Sequence, residues 1–129
     1  IDTGSPHLIR KYENIDKIDL VKEARALKKK YTEYKQGLNV NFCEICGSKF
    51  KLRTYERGVE DETLSCGTGA VASAIFLKDL ALVDNINVDI LMKGGTLTID
   101  FKSEETMYSE IWLSGSVNMV FKGVYNNFD

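Results

Sequence analysis

Hydrophobic positions change their period several times along the 129 residues, and those changes outline the elements. His7 to Tyr12 follows the turn-forming Gly4-Ser5-Pro6 and reads as a short strand. Leu20, Val21, Ala24, Leu27 and Tyr31 then recur at helical spacing, with Lys22, Glu23, Arg25 and Lys29 between them. This predicts an amphipathic helix to about Tyr31, with Asp19 as N-cap and Lys28-Lys29-Lys30 complementing the C-terminal dipole. A phosphate site on that basic run is the weaker reading. Gln36-Gly37 breaks the helix. Asn39 to Glu44 and Lys49 to Tyr55 read as strands of a hairpin turning at Gly47-Ser48. Glu56 to Thr63 is polar and acidic, which predicts a loop.

From Ala70 to Leu77 the chain is apolar on nearly every side, the mark of an enclosed helix. The rest predicts paired strands. Asn87 to Met92 turns through Gly94-Gly95 into Thr96 to Phe101, and Tyr108 to Leu113 turns through Ser114-Gly115 into Val117 to Tyr125. The sum is a single α+β domain of six or so strands, with one amphipathic outer helix and one central buried helix.

Composition narrows the function classes. Hydrophobic residues make up 43% and charged residues 28%, ordinary for a folded domain. A net charge of −2 gives no electrostatic case for nucleic acid or an anionic membrane. No apolar run reaches the length of a membrane span, and no signal peptide is visible. Three cysteines without a disulfide framework suggest a reducing, cytoplasmic setting. Cys43 and Cys46 form a Cys-x-x-Cys without a second pair to complete a zinc site, which leaves them as incidental core or turn residues.

The chemistry concentrates around Cys66-Gly67-Thr68-Gly69. Cys66 stands where a loop becomes a helix, and unpaired N–H groups at that end stabilise a thiolate. Gly67 and Gly69 let the backbone approach a ligand closely. The amides of Gly67 and Thr68 then suit a carboxylate or phosphate. By itself this pattern is also met where a cysteine merely fills a tight turn. A nucleophilic arrangement with His7 as base is the local competitor, and sequence does not show whether the two are close.

Gly4-Ser5-Pro6-His7, Asn39-Val40-Asn41-Phe42, Arg53-Thr54-Tyr55-Glu56-Arg57-Gly58 and Cys66-Gly67-Thr68-Gly69-Ala70 occur in that order. Gly94-Gly95-Thr96-Leu97, Leu113-Ser114-Gly115 and Val120-Phe121-Lys122-Gly123 follow. This resembles the C-terminal half of diaminopimelate epimerase from Asp2 to about Gly123. The resemblance implies a half built as a mixed β-sheet or barrel wrapped around a central helix. It makes residues 1–129 the C-terminal domain of a two-domain enzyme whose N-terminal half is absent, in keeping with a start at Ile1 and not Met.

The resemblance further implies an isomerase that needs neither pyridoxal phosphate nor metal and interconverts LL- and meso-diaminopimelate for lysine and cell-wall synthesis. One cysteine from each half works on opposite faces of the substrate, one as base and one as acid. On this chain Cys66 matches the second such cysteine. Glu56 and His7 match residues that orient or polarise the cysteines. Gly67 and Thr68 match the amides that hold the reacting carboxylate. Arg57 matches the cation on the distal carboxylate, and Asn39 an amide that recognises the distal centre, with Asn41 the competing assignment. Ser5 stands where many relatives carry Asn, so its direct contact with the distal group is weakened. Two other readings remain: a related racemase or isomerase of another amino acid, and a non-catalytic binding module. With one catalytic cysteine, the fragment is expected to be inactive alone, and its exposed face is expected to favour self-association as a homodimer.

Overall fold

The computed structural model describes residues 1–47, 49–83, 87–105 and 107–126. Strands β1 (His7–Lys11), β2 (Asn39–Cys46), β3 (Lys49–Glu56), β4 (Asp61–Thr63), β5 (Asn87–Met92), β6 (Gly95–Glu104) and β7 (Met107–Gly115) form a seven-stranded sheet ordered β1-β2-β3-β5-β6-β7, with β4 also on β3. The β1/β2 and β3/β5 pairs are parallel, and the other pairs antiparallel. Helices α1 (Leu20–Lys28) and α2 (Gly67–Asp79) pack in two separate core clusters.

The sheet curls around α2, which touches β1, β2, β3, β5, β6 and β7. Its small residues make this enclosure feasible: Ala70, Ala72, Ser73 and Ala74 are fully buried. They let strands close in where longer side chains would hold them away. Ala70, Ala74 and Leu77 pack with Leu52, Val88, Ile90, Ile99 and Phe101 in the inner core. The pleat sends alternate residues of β2 to the other side, where Val40 and Phe42 meet Leu20, Ala24 and Leu27 of α1. The expected α+β fold with one enclosed and one outer helix is present.

Four local expectations need correction. Helix α1 stops at Lys28, short of Tyr31. Beyond Leu27, the Lys30 and Tyr31 amides bond three residues back, to Leu27 and Lys28, so the helix tightens and ends once its buried stripe is spent. The acidic segment expected to be a loop contains strand β4. Arg53 draws it in, donating through Nε and Nη2 to the two Glu62 oxygens at 2.7 and 2.8 Å, while Lys93 donates to Glu62 at 2.7 Å. Arg53 also reaches the Ile15 carbonyl. Such a two-pronged, half-buried pair anchors a short strand that β-propensity would not predict.

Ser114-Gly115 is no turn, because β7 runs through it with Leu97 opposite Gly115. A Cβ on Gly115 would lie 2.8 Å from Leu97 Cδ2, so this glycine serves close packing and not chain reversal. The strand expected over Val117 to Tyr125 does not form among the described residues. Its sequence suits a strand, yet a strand needs a ladder partner, and here Val117 is 92% exposed and Phe121 83%. The Gly47-Ser48 turn falls partly outside the described residues.

Candidate active site

Cys66 is the N-cap of α2, with extended backbone angles of −138° and 103°. The first intrahelical bond runs from the Ala70 amide to the Cys66 carbonyl, so the amides of Gly67, Thr68 and Gly69 precede it at the positive end of the helix. Sequence placed Cys66, Gly67 and Thr68 at such a start, and they stand there. Cys66 is only 6% exposed.

β1 brings His7 to the same point. The imidazole Nε2 lies 3.1 Å from Thr68 Oγ1, which lies 3.6 Å from Cys66 Sγ. His7 and Cys66 therefore communicate through the Thr68 hydroxyl, a link that spacing along the chain does not disclose. Burial, helped by the Ile1 ammonium group, pushes the His7 pKa down to about 4 from an ordinary 6.5. The ring is thus neutral near pH 7. A neutral imidazole with one N–H can pass a hydrogen bond to Thr68 but carries no charge to balance a thiolate.

The sign of the resulting pH dependence follows directly. Between pH 6.5 and about 4 an unfolded chain protonates His7 while the folded chain does not, so folding stability declines as pH falls through that window. Urea unfolding at pH 7 and pH 5 is expected to show a smaller decline for His7→Gln than for the parent. The difference should be about 1–2 kcal/mol after screening by solvent. Equal declines would contradict a buried neutral His7.

A second cluster stands beside the first. Asn39 donates through Nδ2 to Ser5 Oγ at 2.7 Å and to the Pro6 carbonyl at 3.3 Å. Its Oδ1 accepts the Arg57 backbone N–H at 2.9 Å, and the Arg57 guanidinium donates to the Gln36 carbonyl at 3.2 Å. Ser5, Asn39 and Arg57 are thereby joined, with Arg57 close enough for its charge to act on His7. Asn39 belongs to this cluster, and Asn41 to that of His7. Glu56 ends β3 and accepts a hydrogen bond from Thr63 at 2.9 Å, three residues before Cys66.

Two cavities flank the turn that precedes β1. One, of about 720 Å³, is bounded by Gly67, Thr68, Val71, Ile75 and Leu113. The other, about 390 Å³, includes Gly4, Pro6, Gly37 and Arg57. The first presents the N-terminal end of α2 beside apolar walls, and the second presents a cation.

A sequence model of diaminopimelate epimerase matches residues 1–120. The chain belongs to the diaminopimelate epimerase family. It is 38% identical to the diaminopimelate epimerase of Flavobacterium psychrophilum over 95% of this chain and 48% of that protein. It is 43% identical to that of Aquifex aeolicus, over 95% of this chain and 44% of the other. The chain therefore spans about half the length of the curated family members it matches. Among solved structures it is similar in fold to a phenazine biosynthesis protein of the PhzF family from Enterococcus faecalis, with a TM-score of 0.55, 18% identity, and 81% and 36% of the two chains covered. A predicted epimerase from Pseudomonas aeruginosa gives a TM-score of 0.51 at 14% identity, covering 78% of this chain and 34% of the other.

Within this chain, the other cysteines stand apart from the helix end. Cys43 is buried in the inner core, where burial pushes its thiol up to about 11. Cys46 is exposed at the far end of β2. An i, i+3 pair on a strand points to opposite faces, which does not suit a shared metal or a disulfide. No helix among the described residues is long and apolar enough to cross a membrane.

Proposed function

We propose that this chain is the half of a diaminopimelate epimerase that supplies Cys66 as one of two acid/base groups, the other cysteine coming from the half not present here. The observation that carries this reading is Cys66 at the start of an enclosed helix, tied through Thr68 to His7 and next to the Ser5–Asn39–Arg57 cluster. As a thiolate, Cys66 takes the α-proton. The electron pair left on carbon is delocalised into the α-carboxylate, which the helix-end amides of Gly67 and Thr68 stabilise. The thiol of the other half then delivers a proton to the opposite face, inverting the centre. In the reverse direction the two sulfurs exchange roles. A base confined to one face cannot invert a centre by itself, so this chain alone is inactive. No pyridoxal phosphate or metal takes part in this route.

Arg57 offers a planar fork for the distal carboxylate, with Asn39 and Ser5 beside it for the distal amino group. This favours diaminopimelate over amino acids with one carboxylate, whose tails have no use for a second cation. In the protein carrying both halves, Arg57→Met is expected to raise KM for diaminopimelate by about 10- to 100-fold, the range of a hydrogen bond to a charged group. A KM left at the parent value would remove Arg57 from the site and reopen the reading as a racemase of another amino acid.

A further inference from the structure

Asn41 is fully buried in the middle of β2, and every polar atom of its side chain is engaged. Its Nδ2 donates to the Leu8 carbonyl at 3.2 Å and lies 3.0 Å from His7 Nδ1. Its Oδ1 accepts the Thr54 hydroxyl at 2.9 Å. The Leu8 carbonyl can only accept, so the amide nitrogen must face it, and the orientation of the group is settled by its surroundings. The same nitrogen faces His7 Nδ1 and also can only donate. Nδ1 is then an acceptor, and the single proton of a neutral imidazole sits on Nε2. From there it points at Thr68 Oγ1, 3.1 Å away. With one lone pair of that oxygen occupied, the Thr68 hydroxyl proton is free to turn to Cys66 Sγ at 3.6 Å.

We propose that Asn41 is a positioning residue that holds the His7 proton on Nε2, so that His7 donates to the Thr68 oxygen and leaves the Thr68 hydroxyl proton free to serve the Cys66 sulfur. The function of this arrangement rests on the reading of Cys66 as an acid/base group. When Cys66 is a thiolate, the Thr68 hydroxyl donates to it. When Cys66 is a thiol, the hydroxyl rotates and accepts from S–H. The imidazole keeps its proton in both states, so only the Thr68 rotor and the sulfur change. The charged groups acting on the ring are the Ile1 ammonium, Asp2 and Arg57, and none of them touches the Asn41 amide in a way that would reverse its direction.

His7 is the only histidine of the chain, so its imidazole nitrogens can be read by two-bond ¹H–¹⁵N correlation without assignment. The parent chain is expected to show the pattern of an Nε2–H ring at pH 7. In Asn41→Asp, a carboxylate replaces the donor and draws the proton to Nδ1. Nε2 then accepts from Thr68, whose hydroxyl is withdrawn from the sulfur. Alkylation of Cys66 by iodoacetamide, followed by mass spectrometry of the Cys66 peptide, is expected to slow about tenfold at neutral pH, the worth of one hydrogen bond to a charged sulfur. Thr54→Val loosens the same amide but leaves the Leu8 carbonyl in place, so it should keep the Nε2–H ring and a near-parental alkylation profile.

An Nδ1–H ring in the parent would overturn the proposal, and that spectrum needs no variant to fold. An unaltered Cys66 profile in a folded Asn41→Asp carrying an Nδ1–H ring would also overturn it, as would equal slowing in Thr54→Val. None of these readouts needs substrate or turnover, so their outcome is separate from whether the two-half protein epimerises diaminopimelate.

Discussion

Replacing Cys66 by alanine in the protein that carries both halves is expected to lower exchange of the substrate α-proton by 10²- to 10⁴-fold, the usual contribution of a positioned proton-transfer group. The loss should fall on kcat with little change in KM, because the backbone amides proposed to hold the carboxylate are left in place by the substitution. Some stability should be lost as well, since Cys66 is 6% exposed and packs in the inner core, so the diagnostic readout is kcat. Cys43→Ala provides the contrast. Cys43 is packed in the inner core, so its loss should lower the unfolding midpoint and leave kcat near the parent value. Equal loss of exchange in both variants would mean that Cys66 acts through packing and not through proton transfer.

Gly69→Ala is expected to lower both stability and turnover, against the trend for such a substitution. In an ordinary helix interior, alanine in place of glycine gains up to about 1 kcal/mol. Here the added Cβ would lie 2.6 Å from Asn41 Oδ1 and 3.2 Å from Cys66 Sγ. Asn41 cannot swing away, because Thr54, Leu8 and His7 all hold it. Overpacking of this kind costs about 1–3 kcal/mol, which outweighs the propensity gain. The displaced partner is the side chain that orients His7, so turnover falls with stability. Gly67→Ala isolates the steric cause. Its Cβ would meet only Leu113 Cδ1 at 3.1 Å, the end of a flexible side chain, so near-parental stability is expected there. Thermal unfolding of the two variants measures the difference, and a stabilised Gly69→Ala would contradict the tight contact.

These positions also show which parts of the molecule are legible in the chain. The helix start at Cys66 is local: a thiol, two glycines and an apolar run all fall within one short segment, so the element can be read in sequence. Arg57 and Asn39 become legible only through the family motif, and the structure joins them with Ser5 by hydrogen bonds. The role of Asn41 is not legible, because it depends on the parallel register that sets β2 beside β1 with His7 opposite Asn39. Two residues along, Asn41 reaches the His7 ring and the Leu8 carbonyl. Nothing in the spacing from residue 7 to residue 41 contains that register.

Strand β4 escaped for a similar reason. Its stability comes from Arg53 and Lys93 converging on Glu62 from distant points of the chain, while its own composition reads as a solvated loop. Residues 116–126 failed in the opposite sense. Val117, Met119, Val120 and Phe121 have the local preference for a strand, but among the described residues no neighbouring strand pairs with them. Propensity predicts the conformation a segment will accept, whereas pairing decides whether it is adopted.

The most direct test of the proposed chemistry is proton NMR of LL-diaminopimelate in D₂O, with the protein that carries both halves and with this chain alone. The account predicts that the two-half protein replaces one α-proton with deuterium and produces the meso isomer, while this chain alone leaves the spectrum unchanged. An α-proton that persists in the presence of the folded two-half protein would contradict it.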